Sequence, residues 1–117
     1  MLPSEILSKA ADIVEAPGAW IQGEYATTHS GTKVASDSPV ACRFCAWGAI
    51  EVAASRLYDL TVPAGDAEET ALETLWNLVG GDIEAWNDVE GRTQSEVVAA
   101  LRKAASIAKE QEHSDAL

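Results

Sequence analysis

Cationic side chains are scarce in this sequence: eight Lys and Arg stand against 19 Asp and Glu, a formal charge of −11 over 117 residues. That scarcity argues against direct binding of DNA, RNA or anionic membrane, all of which require clustered Lys and Arg. Long apolar runs are missing as well. None approaches the roughly 20 residues needed to span a bilayer. The start, Met1-Leu2-Pro3-Ser4-Glu5, lacks the basic region and apolar core of a secretory signal. Cysteine is limited to Cys42 and Cys45, near neighbours for which no structural disulfide is expected in a reducing compartment. The two histidines, His29 and His113, are too far apart for the H-x3–5-H spacing of a zinc site. Repeats and low-complexity tracts are absent. These gaps together describe a cytoplasmic protein with no cofactor and no metal.

What remains is ordinary globular material. An apolar fraction of 47% and a charged fraction of 23% suit one soluble domain over residues 1–117, with a core that requires no staple. The spacing predicts a first helix from Pro3 or Ser4 to Val14, with Ile6, Leu7, Ala10, Ile13 and Val14 as its apolar stripe and Pro17-Gly18 as its stop. From Trp20 to Ala35 the composition is strand-like, broken by a turn at His29-Ser30-Gly31-Thr32, and predicts a short β-hairpin. Ser38 as N-cap and Pro39 at the first helical position predict a second helix running to about Tyr58. Because Asp37 to Leu60 is apolar nearly all round, this helix is expected at the centre of the core. Gly48, set among Ala46, Ala49, Ala53 and Ala54, predicts the close approach of a neighbouring helix. Asp66 and Glu69 resemble a capping box for a third helix over Ala67 to Val79, burying Ala71, Leu72, Leu75, Trp76 and Val79. A single turn follows at Ile83 to Trp86. Thr93-Gln94-Ser95-Glu96 then caps a fourth helix, and residues 110–117 read as a frayed tail. The expected fold is mainly α, a compact four-helix domain with a small β-hairpin insert between helices 1 and 2.

Three sets of residues are candidates for chemistry. Cys42-Arg43-Phe44-Cys45 has the C-x-x-C spacing by which thiol oxidoreductases hold a reactive thiolate at a helix N-terminus. The upstream strand of that context is missing from the pattern, so a packed thiol pair is the plainer reading. A nucleophilic arrangement of either cysteine with His29 and Asn87 or Asp88 has the residue types but no spacing that joins them. The second set is tryptophan. All four tryptophans read first as core, Trp47 and Trp76 most firmly, whereas for Trp20 or Trp86, beside glycine and polar residues, an exposed binding anchor is the alternative. The third set is charge: between Arg56 and Arg92 no Lys or Arg occurs, while Asp59, Asp66, Glu68, Glu69, Glu73, Asp82, Glu84, Asp88 and Glu90 all fall in that interval. A calcium loop at Asp88-Val89-Glu90-Gly91 is excluded, since alignment on Gly91 puts Trp86 at the first ligand and Val97 at the twelfth.

Trp20-x-Gln22-Gly23, Cys45-x-x-Gly48-Ala49 and Trp86-Asn87-Asp88 with Gly91-Arg92-Thr93 resemble a small family of uncharacterised proteins of bacteria and their phages, a domain of unknown function. The resemblance implies no activity. Read physically, Trp20, Trp86, Asn87, Asp88 and Arg92 form a corner that locks the last helix onto the core, with Arg92 paired to Asp88 or Glu90; a ligand site at the same corner is the other reading. The leading functional expectation is a non-enzymatic interaction protein whose nine carboxylates present a negative face to a partner with a basic surface. Phage-encoded inhibitors of host defence block nucleic-acid-binding grooves with such a face. The alternatives are charge that only keeps a small domain soluble, a thiol redox or metal module at Cys42 and Cys45, and a structural subunit of a larger particle.

Overall fold

The computed structural model describes residues 1–57 and 65–115. Its element order is α1 (Pro3–Glu15), β1 (Ala26–Thr27), β2 (Arg43–Phe44), α2 (Ala46–Arg56), α3 (Gly65–Val79), α4 (Ile83–Asn87) and α5 (Gln94–Asp115). The chain is mainly α-helical, and the small antiparallel ladder lies between the first two helices as expected.

α1 and α5 lie side by side and run antiparallel, as the polar ties at their two ends show. At one end the Gln94 amide donates to the carbonyls of Val14 (2.7 Å) and Ala16 (2.8 Å). At the other, Ser4 donates its backbone N–H and its hydroxyl to the Glu112 carboxylate at 2.9 and 2.5 Å. Between them Arg102 reaches Asp12 and Glu15, both at 2.8 Å. The apolar stripe of α1, Ile6, Leu7, Ala10, Ala11 and Val14, is fully buried against Val97, Leu101, Ala104 and Ala108 of α5 and against α2. Thr93 and Glu96 form the capping box, and the Thr93 N–H and hydroxyl hold the Glu96 carboxyl below its usual range. α5 extends to Asp115, past the point where the sequence suggested fraying, because Glu112 is tied to the start of α1.

The second helix differs from its sequence pattern. It begins at Ala46, with Cys45 as N-cap, rather than at Ser38-Pro39. Residues 41–45 spend their N–H groups elsewhere: Ala41 donates to Ser38, Cys42 to Thr27, Phe44 to Ala19 and Cys45 to Tyr25. Phe44 is driven into the core by this pairing, and its carbonyl accepts from Ile21. The ladder therefore joins Ala26–Thr27 to Arg43–Phe44 (Ala26 opposite Phe44, Thr27 opposite Arg43), so its second strand lies inside the stretch that reads as helix. Within 20–35 the chain folds back on itself around His29–Gly31 through an isolated Thr27–Lys33 bridge and the bonds from Thr28 to Thr32 and from Val34 to Ala26, without forming a ladder of its own.

α2 is as buried as its composition requires: Ala46, Gly48, Ala49, Ile50, Val52, Ala53 and Ala54 are all in the interior. Gly48 marks a close approach, but to a backbone turn rather than to a helix. A Cβ at this position would lie 2.0 Å from the Tyr25 carbonyl oxygen. α3 begins at Gly65, one residue before Asp66, so Asp66 lies in its first turn and is not its cap. Its residues Ala71 and Leu75 are buried, whereas Trp76, expected in the core, is 45% exposed. No helix among the described residues is long and apolar enough to cross a membrane.

Candidate functional site

The residues of the expected corner do converge, and Asn87 is at their centre. This side chain is fully buried at the end of α4, a single turn capped by the Asp82 carboxylate on the Ala85 N–H. Its Oδ1 accepts from the Trp20 indole (2.7 Å) and from the Ala46 N–H (3.0 Å). Its Nδ2 donates to the Ile21 carbonyl (3.1 Å) and to Asp88 Oδ1 (2.9 Å). All of its hydrogen-bonding capacity is engaged, and one of those bonds satisfies an otherwise unpaired N–H at the start of α2. Asp88 also accepts from the Gly23 N–H at 2.9 Å, and the Gln22 amide donates to the carbonyls of Asn87 and Val89, both at 3.0 Å.

Arg92 does not pair with Asp88 or Glu90. Its Nε donates to the Trp86 carbonyl at 2.9 Å, its guanidinium lies 4.2 Å from the Trp86 ring centroid, and its salt bridge is to Glu96 at 3.4 Å. Stacking on the indole explains the choice, since a planar guanidinium gains both from the ring face and from a fixed carbonyl. Trp20 and Trp86 are thereby half-buried parts of the corner, and neither is an exposed anchor. The exposed tryptophan is Trp76.

The thiols sit on either side of β2. Cys45 is buried, and its sulfur accepts from the Gly48 N–H at 3.4 Å. Desolvation pushes its pKa up to about 11 despite that helix-end contact, so a thiolate is disfavoured there near neutral pH. Cys42 is half-buried and its thiol donates to the Thr27 carbonyl at 3.7 Å. His29 is exposed on the turn before Lys33, and no bond links it to either cysteine. No cluster of three or more His, Cys, Asp or Glu side chains among the described residues is disposed to hold a metal ion.

The carboxylates of the base-free interval divide into two groups. Asp59 lies outside the described residues. Asp82 caps α4, Glu84 accepts from the Tyr25 hydroxyl at 2.5 Å, and Asp88 serves the corner. The Glu84 hydrogen bond holds the Tyr25 hydroxyl protonated and pushes its pKa up to about 12. Glu90 is exposed on the loop that follows α4. Asp66, Glu69 and Glu73 are exposed on α3, where Glu69, Glu73 and Trp76 share one side of the helix. Glu68, on the adjacent side of the helix, lines an open cleft of about 960 Å³ whose walls include Tyr25, Ser36, Trp47 and Glu51. Burial and the charge of Glu51 push the Glu68 carboxyl above its usual range.

A model of the family of unknown function DUF6197 matches residues 1–107, which reach from α1 into α5 and include the whole corner. The chain belongs to that family. No curated protein and no solved structure matches it. Within this DUF6197 chain the polar side-chain atoms of Asn87 at the centre of the corner are all hydrogen-bonded to other groups of the protein. The cleft was missed from sequence. Its walls come from the 25–37 segment and α2, with Glu68 from α3, and no local pattern marks residues that meet only in the folded chain. The one available signal was Trp47 with Glu51 one turn later on α2.

Proposed function

We propose that this protein is a non-enzymatic, acidic interaction module that engages the basic surface of a protein partner. The observation that carries the reading is the outer side of α3, where Trp76 is 45% exposed beside Glu69 and Glu73. Glu69 and Glu73 are one helical turn apart, an arrangement that costs an isolated helix roughly 0.2–0.5 kcal/mol per like-charge pair. Among the described residues no Lys or Arg pairs with either of them. An exposed indole flanked by unpaired carboxylates matches what a partner rich in arginine and apolar groups would bury, because aromatic anchors dominate such contacts. A second copy of the chain is a poor occupant, since it would bring another net charge of −11 to the same face.

On this reading the module works in the cytoplasm, where Cys42 and Cys45 stay as free thiols. Its finer form is a phage-type inhibitor that occupies the nucleic-acid groove of a host-defence protein in place of the phosphate backbone. Capture of basic nucleoprotein complexes on immobilised protein tests it. Retention should fall steeply as salt is raised from about 50 to 500 mM, where surface charges are progressively screened. It should also fall at least about tenfold for a combined Glu69→Gln, Glu73→Gln and Trp76→Ala variant, as loss of a central anchor does. Absent capture, or capture indifferent to salt, would refute it.

A further inference from the structure

The cleft beside Glu68 lies on a different side of α3 from Trp76 and combines two kinds of wall. One is aromatic: the Tyr25 and Trp47 rings stand 6.4 Å apart between centroids, tilted by 52°. The other is anionic, with Glu51 from α2, Glu68 from α3 and Asp37 from the loop ahead of β2. Aromatic faces attract ammonium and guanidinium groups through the ring quadrupole, and carboxylates attract them through charge and directed hydrogen bonds. A ligand that satisfies both walls at once is an organic cation.

Three further features narrow its chemistry. Glu51 is held in place, because one of its oxygens accepts from the Ser36 hydroxyl at 3.1 Å. Glu68 is partly desolvated and crowded by Glu51, and both effects hold its carboxyl above the usual range. Lys33 also lines the cleft, and the ion pair it makes among the described residues is to Glu24, at 3.6 Å. With no three-ligand cluster among the described residues, a metal ion is a poorer fit than an organic group. The cleft, about 960 Å³ and open, has room for a long side chain together with the backbone that bears it.

We propose that the cleft between Tyr25, Trp47, Glu51 and Glu68 is a socket for the guanidinium of an arginine side chain presented by a protein partner. Arginine fits better than lysine, since a planar guanidinium stacks on Trp47 while its fork reaches a carboxylate. The socket rests on the acidic-module reading for the existence of a partner, but not for its ligand chemistry.

The test is an NMR titration of the isotope-labelled full chain with N-acetylarginine amide, run in parallel with the uncharged citrulline analogue. The Trp47 indole N–H, assigned with a Trp47→Phe variant, should shift with a Kd of about 1–10 mM, the range for one small group bound alone. The citrulline analogue should shift it at least about tenfold less, and Glu51→Gln and Glu68→Gln should each weaken binding about threefold to tenfold. Each variant's undisturbed spectrum reports that it is folded. Equal response to citrulline, shifts centred away from Trp47, or unchanged affinity in both glutamine variants would overturn the socket. If the socket fails while salt-sensitive capture through α3 persists, only the cleft assignment falls. If capture fails while the cleft still takes the arginine amide, the partner reading falls and the cation site stands.

Discussion

The α4 corner and the cleft between α2 and α3 draw on the same residue types, tryptophan and carboxylates with short polar side chains, and use them in opposite ways. In the corner, Asn87 makes four hydrogen bonds from a fully buried position, and Trp20, Asp88 and Arg92 each have a fixed protein partner. In the cleft, Glu51 accepts one hydrogen bond, from Ser36, among the described residues, and the charge that shifts the Glu68 carboxyl is the like charge of Glu51. A polar group saturated by its own chain holds the fold together. One left under charge strain at an open surface is available to something else. The contrast separates architecture from function where composition alone treats both alike.

The sharpest way to break the comparison is to disturb the architectural side. Gly48→Ala should cost about 3 kcal/mol or more, the upper end of overpacking penalties, because its Cβ would press within 2.0 Å of a backbone oxygen that cannot rotate away. Urea denaturation measures this; a loss under about 1 kcal/mol would mean that the Tyr25 turn yields easily. Asn87→Ala comes next, at about 2–3 kcal/mol, because it strands the Trp20 indole and the Ala46 N–H without an acceptor. The same denaturation series reports it, and a neutral result would show that water replaces the amide.

The cleft should respond with the opposite sign. Folding raises the affinity of the Glu68 carboxyl for a proton, so its ionised form is less comfortable in the native state than in the unfolded chain. At neutral pH the charge therefore subtracts stability, and Glu68→Gln should raise it slightly, by about 0.2–0.5 kcal/mol for a partly exposed group. Thermal melts at pH 7 and at pH 4 distinguish this from a packing effect, since the advantage should shrink as Glu68 takes up its proton. A melting point that falls as it does for Asn87→Ala would place Glu68 on the architectural side.

Much of the architecture was readable in advance, for local reasons. The stripe of α1, the capping box of α5 and the single turn of α4 depend on neighbours three or four residues away, and the chain realises them, except that Ala11 is fully buried in the stripe and Ile13 only half-buried. The start of α2 was not readable. Ser38-Pro39 is a sound helix start, but Cys42, Phe44 and Cys45 give their N–H groups to residues 19–27 instead, a pairing that short-range pattern does not contain. Trp76 misled for a related reason. Leu72, Trp76 and Val79 recur at helical spacing like a core stripe, yet the buried side of α3 is set by Ala71 and Leu75, which face α1, α2 and α5. The corner was legible as a set of residues, whereas Arg92's partner was not, because an indole face competes with carboxylates for a guanidinium.

The sequence by itself determined that the chain is helical, acidic and built around a small-residue helix with one indispensable glycine, because periodicity, charge and residue size are properties of the chain itself. Tertiary structure alone decided which carboxylates are consumed by the fold, which tryptophan meets solvent and which residues wall the cleft. Those outcomes depend on what each side chain meets across tens of residues of intervening chain, and the free energy of a buried hydrogen bond or a crowded charge exists only after that meeting.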